Sequence, residues 1–266
     1  MTIHAAQPVS AADAEKIAVY WRPGCSGCLA LKEFMEDSGI PFESIDITAD
    51  PSKTDGIMAE LAGAGIRTIP AIRRGGKYIY AQSIEDVAKL LGVRCDHERL
   101  SNEELYKRWE QILPVAYRIV EKFPEHMFAE RAIPVRGRTL RELAVHLFQI
   151  PYGWIEQMDN GLLEIKPLLA YCDPKIVTKS DILAHNRKSQ EDLRKWLASG
   201  RKAELPARTP TYYGEQPLGQ VLERAVWHCT QHARQLDVVA VGRAGAEFEI
   251  PAELYEGLPL PKRIWS

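Results

Sequence analysis

The chain has 266 residues, of which 45% are hydrophobic and 26% are charged, and its formal net charge is −2. This composition is typical of a folded protein, and the near-neutral charge argues against a basic nucleic-acid-binding module. No apolar run reaches the roughly 18–20 residues of a membrane span, so no membrane partner is expected. The length accommodates two ordinary domains.

The N-terminal tail, 1–15, has neither the basic start nor the apolar stretch of a signal peptide, so nothing marks the chain for export. The chain contains five cysteines, an odd number that does not fit a disulfide scaffold. Reduced thiols in a cytoplasm explain this count better. We therefore expect a cytoplasmic protein.

Residues 16–93 alternate between short strand patterns and helical patterns. In chain order we predict a strand at 16–21, a helix at 28–39, a strand at 41–47, a helix at 54–65, two strands within 68–81 and a helix at 83–92. Gly75-Gly76 favours a hairpin between the paired strands. Ser83 is the expected N-cap of the last helix. The order β-α-β-α-β-β-α predicts an α/β domain.

The second part of the chain shows only long helical patterns. They cover 104–123, 139–158, 178–196 and 217–241. Thr139 and Glu142 form a capping box at the start of the second helix, and Pro114 predicts a kink in the first. The sequence therefore predicts an all-α four-helix bundle over 103–266, joined to the first domain by a polar linker at 94–102.

Cys25 and Cys28 form a Cys-x-x-Cys pair at the junction of the first strand and the first helix. A thiol at a helix N-terminus faces unpaired N–H groups and the positive end of the helix dipole, which favour the thiolate. Arg22 adds a nearby positive charge. We expect Cys25 to attack disulfides and Cys28, one turn later, to resolve the mixed disulfide.

The segments VYWRPGCSGC (19–28) and RTIPAI (67–72) resemble the glutaredoxin branch of the thioredoxin fold. The resemblance covers about residues 16–92 and implies thiol–disulfide exchange. In that family a proline after Thr-Val or Thr-Ile is cis, lies against the cysteines and presents the preceding backbone to the substrate. The resemblance thus implies substrate binding by Thr68, Ile69 and Pro70, near Arg22.

Two departures from the glutaredoxin pattern are visible. Ser26-Gly27 replaces the usual Pro-Tyr, and AQSIED (81–86) replaces the Gly-Gly-x-x-Asp segment that usually binds the glutathione carboxylate. We therefore expect altered glutathione binding. A redox-inactive adaptor is an alternative, although both cysteines are present. Half of a zinc site is disfavoured because the chain has no second Cys-x-x-Cys.

Three histidines are candidate metal ligands. His228 and His232 are four residues apart on one predicted helix, so both project from the same face. His232 falls within the apolar stripe of that helix, and His146 lies at the edge of the stripe of another. Three neutral histidines with open coordination positions make a catalytic-type site for Zn²⁺, Ni²⁺ or Fe²⁺. Hydrogen-bonded core histidines are the alternative.

Nearby residues have simpler interpretations. Cys229, between the two histidines, is predicted to be a small buried residue. Tyr212, Tyr213 and Trp154 are interpreted as core aromatics in preference to the mouth of a pocket.

Three segments resemble the DinB/YfiT-like four-helix bundles. They are RTLRELAVHLFQI (138–150) with Trp154, PLGQVLERAVWHCTQHARQLDVVA (217–240) and GLPLPKRIW (257–265). In that family one histidine comes from the second helix and two from the last, which implies a divalent metal on His146, His228 and His232. The family often pairs through helix faces, so a homodimer is plausible.

Together the two resemblances imply a thiol-metabolism enzyme. DinB-like bundles include S-transferases in which a metal activates a low-molecular-weight thiol, such as glutathione, as the thiolate. A glutaredoxin-like domain would handle disulfide exchange of the same small thiol, and the bundle would transfer it to an electrophile.

Two other functions stay open. The chain can be a redox sensor whose bundle is a non-catalytic binding or dimerisation module. It can also be a metal-dependent hydrolase, which needs a general base near the metal. Glu142 is one turn from His146, but its place in the capping box explains it better.

Overall fold

The computed structural model describes residues 17–133, 137–161 and 173–265. The chain forms two units. The first contains the chain up to Glu98 together with the segment from Pro261 onward, and the second runs from Arg99 to Leu260. The boundary between Glu98 and Arg99 lies inside the predicted linker, 94–102. The predicted N-terminal tail lies outside the described residues.

The first unit has the predicted order of strands and helices. Its elements are β1 Ile17–Trp21, α1 Ser26–Asp37, β2 Glu43–Asp46, α2 Pro51–Gly63, β3 Ala71–Arg74, β4 Lys77–Tyr80 and α3 Ile84–Leu91. The sheet has the order β2-β1-β3-β4. β1 pairs with β2 in parallel, and the β1–β3 and β3–β4 pairs are antiparallel. The predicted thioredoxin-like α/β domain is confirmed.

Strand β1 contributes to two hydrophobic cores because its side chains alternate between the faces of the sheet. Ile17 and Val19 belong to a core that also contains apolar residues of α1 and α3. Ala18 and Tyr20 belong to a second core, which includes Cys28 and apolar residues of α2. The end of β1 and the start of α1 are thereby fixed next to each other, which is where the cysteine pair lies.

Local sequence signals explain where several elements begin and end. Ser83 caps α3 as predicted, and its Oγ accepts a hydrogen bond from the Asp86 N–H at 3.2 Å. The predicted Gly-Gly turn joins β3 to β4, and Gly75 adopts a φ of 58°, which favours glycine. Asp50 caps α2 through the Ser52 N–H at 3.1 Å. With Pro51 in its first turn, α2 begins three residues earlier than the prediction of 54.

The second unit is built from four long helices. They are α4 Asn102–Lys122, α5 Leu140–Asn160, α6 Lys179–Ala198 and α7 Leu218–Ala244. Helix α4 packs against α6 and α7, and α5 also packs against α6 and α7, so each helix has two neighbours. Trp154 is buried at the centre of an aromatic cluster with Tyr106, Trp109 and Trp196, as expected of a core residue. The predicted helical C-terminal region is confirmed.

The ends of these helices also follow the sequence. The capping box at α5 is present: the Thr139 N–H donates to Glu142 Oε2 at 2.7 Å, and the Glu142 N–H donates to Thr139 Oγ1 at 3.2 Å. Pro114 lies inside α4, which continues through it. No helix in the described ranges is long and apolar enough to span a membrane.

The structure contains a short hairpin before α7 that the sequence did not predict. Strands β5, Arg208–Thr211, and β6, Gly214–Pro217, pair in antiparallel fashion and pack against α7. Each strand has four residues and contains a proline, so no alternating apolar pattern marks it. The turn of the hairpin carries Tyr212 and Tyr213.

The C-terminal segment corrects the predicted limits of the bundle, 103–266. Residues from Pro261 onward belong to the first unit rather than the second. The reason is electrostatic: Lys262 pairs with Asp37 of α1 at 2.6 Å, and Arg263 pairs with Glu33 at 3.0 Å and with Glu36 at 2.9 Å.

Candidate redox and histidine sites

The two cysteines of the first unit lie at the N-terminus of α1. Cys25 is the N-cap residue, and its Sγ accepts a hydrogen bond from the Cys28 N–H at 3.2 Å. The two residues form a disulfide across a Cα–Cα distance of 5.2 Å. Cys28 is fully buried, whereas Cys25 is partly exposed. Cys25 is therefore the more accessible residue of the pair.

Pro70 lies against the turn between the cysteines. A Cβ added at Gly27 would come within 3.4 Å of Cδ and Cγ of the proline ring. The Ile69–Pro70 peptide bond is cis, as the resemblance implies. Gln82, which no motif in the sequence marks as a site residue, donates from Nε2 to the Ile69 carbonyl at 3.3 Å. It thereby holds the backbone that precedes the proline.

Of the remaining predicted substrate-binding residues, Arg22 precedes this turn in sequence, and Thr68 and Ile69 precede Pro70. Thr68 and Arg22 are partly exposed, and Ile69 is buried. Arg22 Nε is shielded from solvent and has no hydrogen-bond partner within the described part of the chain. The same holds for the Oγ of Ser26, a residue that is 5% exposed. Two shielded polar groups close in sequence to Cys25 thus have no hydrogen-bond partner among the described residues.

The three predicted histidines come together in the second unit. His146 is on α5, and His228 and His232 are on α7. One ring nitrogen from each histidine lies within 4.8 Å of the others, a spacing that suits ligands of a single ion. The ring centroids are 5.3 Å apart for His146 and His228, 5.1 Å for His146 and His232, and 4.6 Å for His228 and His232.

The surroundings favour neutral imidazoles, the form that binds metals. Burial lowers the pKa of His228 well below its usual value, and the charges of His232 and His146 lower it further. His232 is 2% exposed, and its Nδ1 lies 2.7 Å from Gln235 Oε1. Because an amide oxygen accepts, Nδ1 carries the proton, and the lone pair is on Nε2. Gln235 thus fixes the tautomer, as residues behind metal ligands commonly do.

Two arginines act electrostatically on His228. The charges of Arg224 and Arg138 also lower the pKa of His228. Arg224 is one helical turn before His228 on α7, and its guanidinium lies 5.8 Å from the ring of Tyr213 and 3.5 Å from the Tyr212 hydroxyl. Arg224 therefore connects the two tyrosines to His228. The sequence predicted Tyr212 and Tyr213 to be core aromatics and did not predict their contact with Arg224.

Cys229 has a structural role, as predicted. It is fully buried, and the Trp109 Nε1–H donates to its Sγ at 3.2 Å. Burial raises the pKa of this thiol, so it stays protonated.

A thioredoxin-like sheet, a Cys-x-x-Cys pair at a helix N-terminus and a cis-proline against it define a glutaredoxin-like thiol-redox domain. Residues 17–79 accordingly match the glutaredoxin family model. The match ends before the histidine-bearing helices begin.

Two characterised proteins resemble part of the chain. The hybrid peroxiredoxin hyPrx5 of Haemophilus influenzae is 34% identical over 65 residues, which are 24% of this chain and 25% of that protein. The N-acetyl-S-hydroxy-L-cysteine reductase of Bacillus subtilis is 29% identical over 68 residues, 25% of this chain and 70% of that protein. This chain thus covers only a quarter of the first relative. No solved structure gives a significant match.

Proposed function

We propose that this chain is a thiol-metabolism enzyme with two centres. The first unit reduces a small disulfide or sulfenic acid through Cys25 and Cys28. The second unit is a DinB-like bundle that holds a divalent metal on His146, His228 and His232 and transfers a low-molecular-weight thiol. The observation that carries the second half is the convergence of three histidine nitrogens within 4.8 Å.

The chemistry of the first unit follows from the positions of its two sulfurs. The Cys25 thiolate attacks one sulfur of a disulfide, and one thiolate leaves. Cys28 then attacks Cys25, releases the second thiolate and forms the Cys25–Cys28 disulfide. With a sulfenic acid the first step releases water instead. The name of the Bacillus subtilis relative, an S-hydroxycysteine derivative reductase, makes the second class of substrate the first to test.

The donor set of the second unit fits zinc, nickel or ferrous iron. Three neutral imidazoles leave coordination positions open, and a bound metal would lower the pKa of a thiol that occupies one of them. Gln235 orients His232 for this purpose. Arg224 and Arg138 attract an anionic ligand to the same place, which suits a thiolate that also carries a carboxylate.

The hydrolase alternative is less well supported. It needs a free general base, and the nearest candidate by sequence, Glu142, accepts hydrogen bonds from the N–H and hydroxyl of Thr139 at 2.7 and 3.1 Å. A carboxylate committed to a helix cap does not move protons for a substrate. S-transfer with a metal-bound thiolate needs no such base.

Elemental analysis of the purified chain tests the metal site. We expect about one divalent metal per chain after incubation with zinc, nickel or ferrous iron, because three converging imidazoles suffice for a catalytic-type site. The double variant His228→Ala/His232→Ala should lose it. The matched control is His126→Ala, because His126 is exposed and outside the cluster. Absence of metal in the wild-type chain would contradict the proposed transferase activity of the second unit. It would not bear on the proposed reduction by Cys25, which is tested by a separate assay.

A further inference from the structure

The helical unit contains a cavity between α5 and α6, called the α5–α6 cavity below. Its volume is about 250 Å³, just below the roughly 300–1,000 Å³ of ordinary small-molecule sites. The Ser189 hydroxyl donates to the Phe148 carbonyl at 2.8 Å, and this buried hydrogen bond joins the two helices in the wall of the cavity. His146, His228 and His232 are not among the described residues that line it. The cavity is therefore separate from the histidine cluster.

The apolar part of the lining suits the body of a small organic molecule. It is formed by Phe148, Ile176 and the ring of Tyr152. Phe148 is fully buried, whereas Tyr152 is 54% exposed, which is unusual for a large aromatic side chain. Val177, the neighbour of Ile176 in sequence, is 59% exposed. Exposed apolar side chains beside a concave surface are typical of a ligand-binding groove.

The charged groups of the lining favour a cationic ligand. Lys188 and Asp192 pair with each other at 2.6 Å, so their charges offset each other. Asp173 accepts a hydrogen bond from the Lys175 N–H at 2.9 Å but forms no ion pair with any described residue. The lining therefore has one carboxylate more than it has cations.

His185 provides a second polar group near this carboxylate. Its Nε2 is shielded from solvent and has no hydrogen-bond partner among the described residues. The charge of Asp173 acts on the imidazole, so the two side chains lie close together. Burial lowers the pKa of His185, and a neutral imidazole accepts a hydrogen bond from an ammonium group, which an imidazolium does not. A ligand with N–H donors would therefore satisfy a polar atom that is otherwise costly to bury.

We propose that the α5–α6 cavity binds a small organic amine. Its ammonium group pairs with Asp173 and donates to His185. Its apolar body packs against Phe148 and Ile176, with the ring of Tyr152 on the solvent-facing side, where an aromatic face also attracts a cation. This site takes the opposite charge from the histidine site, for which an anionic thiol is proposed, so the two sites select different molecules.

Ligand-observed NMR titration of the full-length chain with 2-phenylethylamine tests this proposal. Two molecules of similar shape are the comparison probes, the neutral 2-phenylethanol and the anionic 3-phenylpropanoate. The amine should bind at least about threefold more tightly than the alcohol, because Asp173 is an exposed carboxylate whose attraction is partly screened by water. The carboxylate probe should bind more weakly than both.

The Asp173→Asn variant removes the charge and keeps the shape. It should weaken binding of 2-phenylethylamine about three- to fivefold and leave binding of 2-phenylethanol unchanged. Because Asp173 is exposed, the fold does not depend on its side chain. Glu191→Gln is the matched control, since it removes an exposed carboxylate of α6 that does not line the cavity, and it should change neither affinity.

The double variant His228→Ala/His232→Ala separates this site from the histidine cluster, because an amine is also a ligand for metals. Affinity for 2-phenylethylamine should be unchanged in it, whether or not the wild-type chain holds a metal. Loss of amine binding in that variant would overturn the proposal. So would absence of saturable amine binding to the wild-type chain, equal amine affinity of wild type and Asp173→Asn, or tighter binding of 3-phenylpropanoate than of the amine.

Discussion

The two candidate sites are assembled in opposite ways. The redox site is concentrated in one turn of chain, where Cys25 caps α1 and Cys28 follows within its first turn. The histidine site joins α5 to α7, and the whole of α6 and the hairpin lie between them in sequence. The first site is partly open to solvent, and the second places its ligands at the edge of a buried helix interface.

This difference explains why similarity to known proteins covers one site and not the other. A compact motif keeps its spacing in distant relatives, and the glutaredoxin match over 17–79 includes both cysteines. The histidine site, by contrast, is formed by three residues on two long helices of ordinary composition, which are brought together by packing.

The largest effect is expected at the redox site. Cys25→Ser should reduce disulfide or sulfenate reduction to background, a loss of at least about a thousandfold, because the attacking sulfur is gone. Cys28→Ser should still form the mixed disulfide but not release it. Mass spectrometry of the trapped adduct and a coupled reduction assay distinguish the two.

Cys95→Ser is the matched control, because Cys95 lies in the same unit and outside the disulfide. Equal loss of activity in the Cys25→Ser and Cys95→Ser proteins would contradict the assignment. Full activity of Cys28→Ser would indicate that a second substrate thiol, and not Cys28, resolves the mixed disulfide.

The histidine site should respond to a residue that is not itself a ligand. Gln235→Leu removes the acceptor on His232 Nδ1, and we expect metal affinity to fall about 10- to 100-fold. Gln235→Glu keeps an acceptor and should restore most of that affinity. Competition with a chromophoric chelator measures both. Unchanged affinity in Gln235→Leu would mean that the 2.7 Å contact does not set the tautomer.

The sequence predicts the three histidines of this site but not what surrounds them. The positions of His228 and His232 follow from the four-residue spacing, and His146 is indicated by its place at the edge of the apolar stripe of its helix and by the resemblance. The tautomer set by Gln235 depends on a rotamer, which composition and periodicity do not determine. A glutamine three residues after a histidine on a helix is close enough to bond, and this spacing was the available signal.

Other differences have equally physical causes. The hairpin of β5 and β6 is too short and too polar to show an alternating pattern, so Tyr212, Tyr213 and their contact with Arg224 could not be foreseen. The return of Lys262 and Arg263 to α1 depends on non-local contacts, above all the hydrogen bonds from their backbone N–H groups to the buried Glu33. Helix limits, by contrast, were predictable where side chains cap them, as Thr139 and Ser83 do.

A smaller effect is expected from the positive charge beside the histidines. Arg224→Gln should weaken binding of an anionic thiol about tenfold with metal content unchanged, because one of the two arginine charges that act on His228 is lost. Perturbation of the visible spectrum of the cobalt-substituted chain by glutathione measures this. Arg234→Gln is the control, since Arg234 lies on the same helix and packs on Tyr255 at 5.5 Å. Equal weakening in both variants would contradict a local role.

The smallest effect concerns acid stability, and it also separates the two units. Burial lowers the pKa of His185 in α6, and the charge of Asp173 only partly opposes this. The unfolded chain binds a proton at this histidine below about pH 6.5, whereas the folded chain resists it. Stability from this residue is therefore fully present above about pH 6.5 and is lost progressively as the pH falls from that value to the lower pKa of the folded state.

Comparison of metal-free wild type with His185→Gln tests this expectation. Between pH 7.5 and 5.5 the wild type should lose up to about 1 kcal/mol more unfolding free energy than the variant, since only the wild type takes up that proton on unfolding. Urea denaturation followed by tryptophan fluorescence reports mainly on the helical unit, which contains four of the six tryptophans, namely Trp109, Trp154, Trp196 and Trp227. The cluster histidines are present in both proteins, so their contribution cancels. Parallel pH profiles of the two proteins would mean that His185 accepts its proton in the folded state. Water would then reach the imidazole of His185 in spite of its burial.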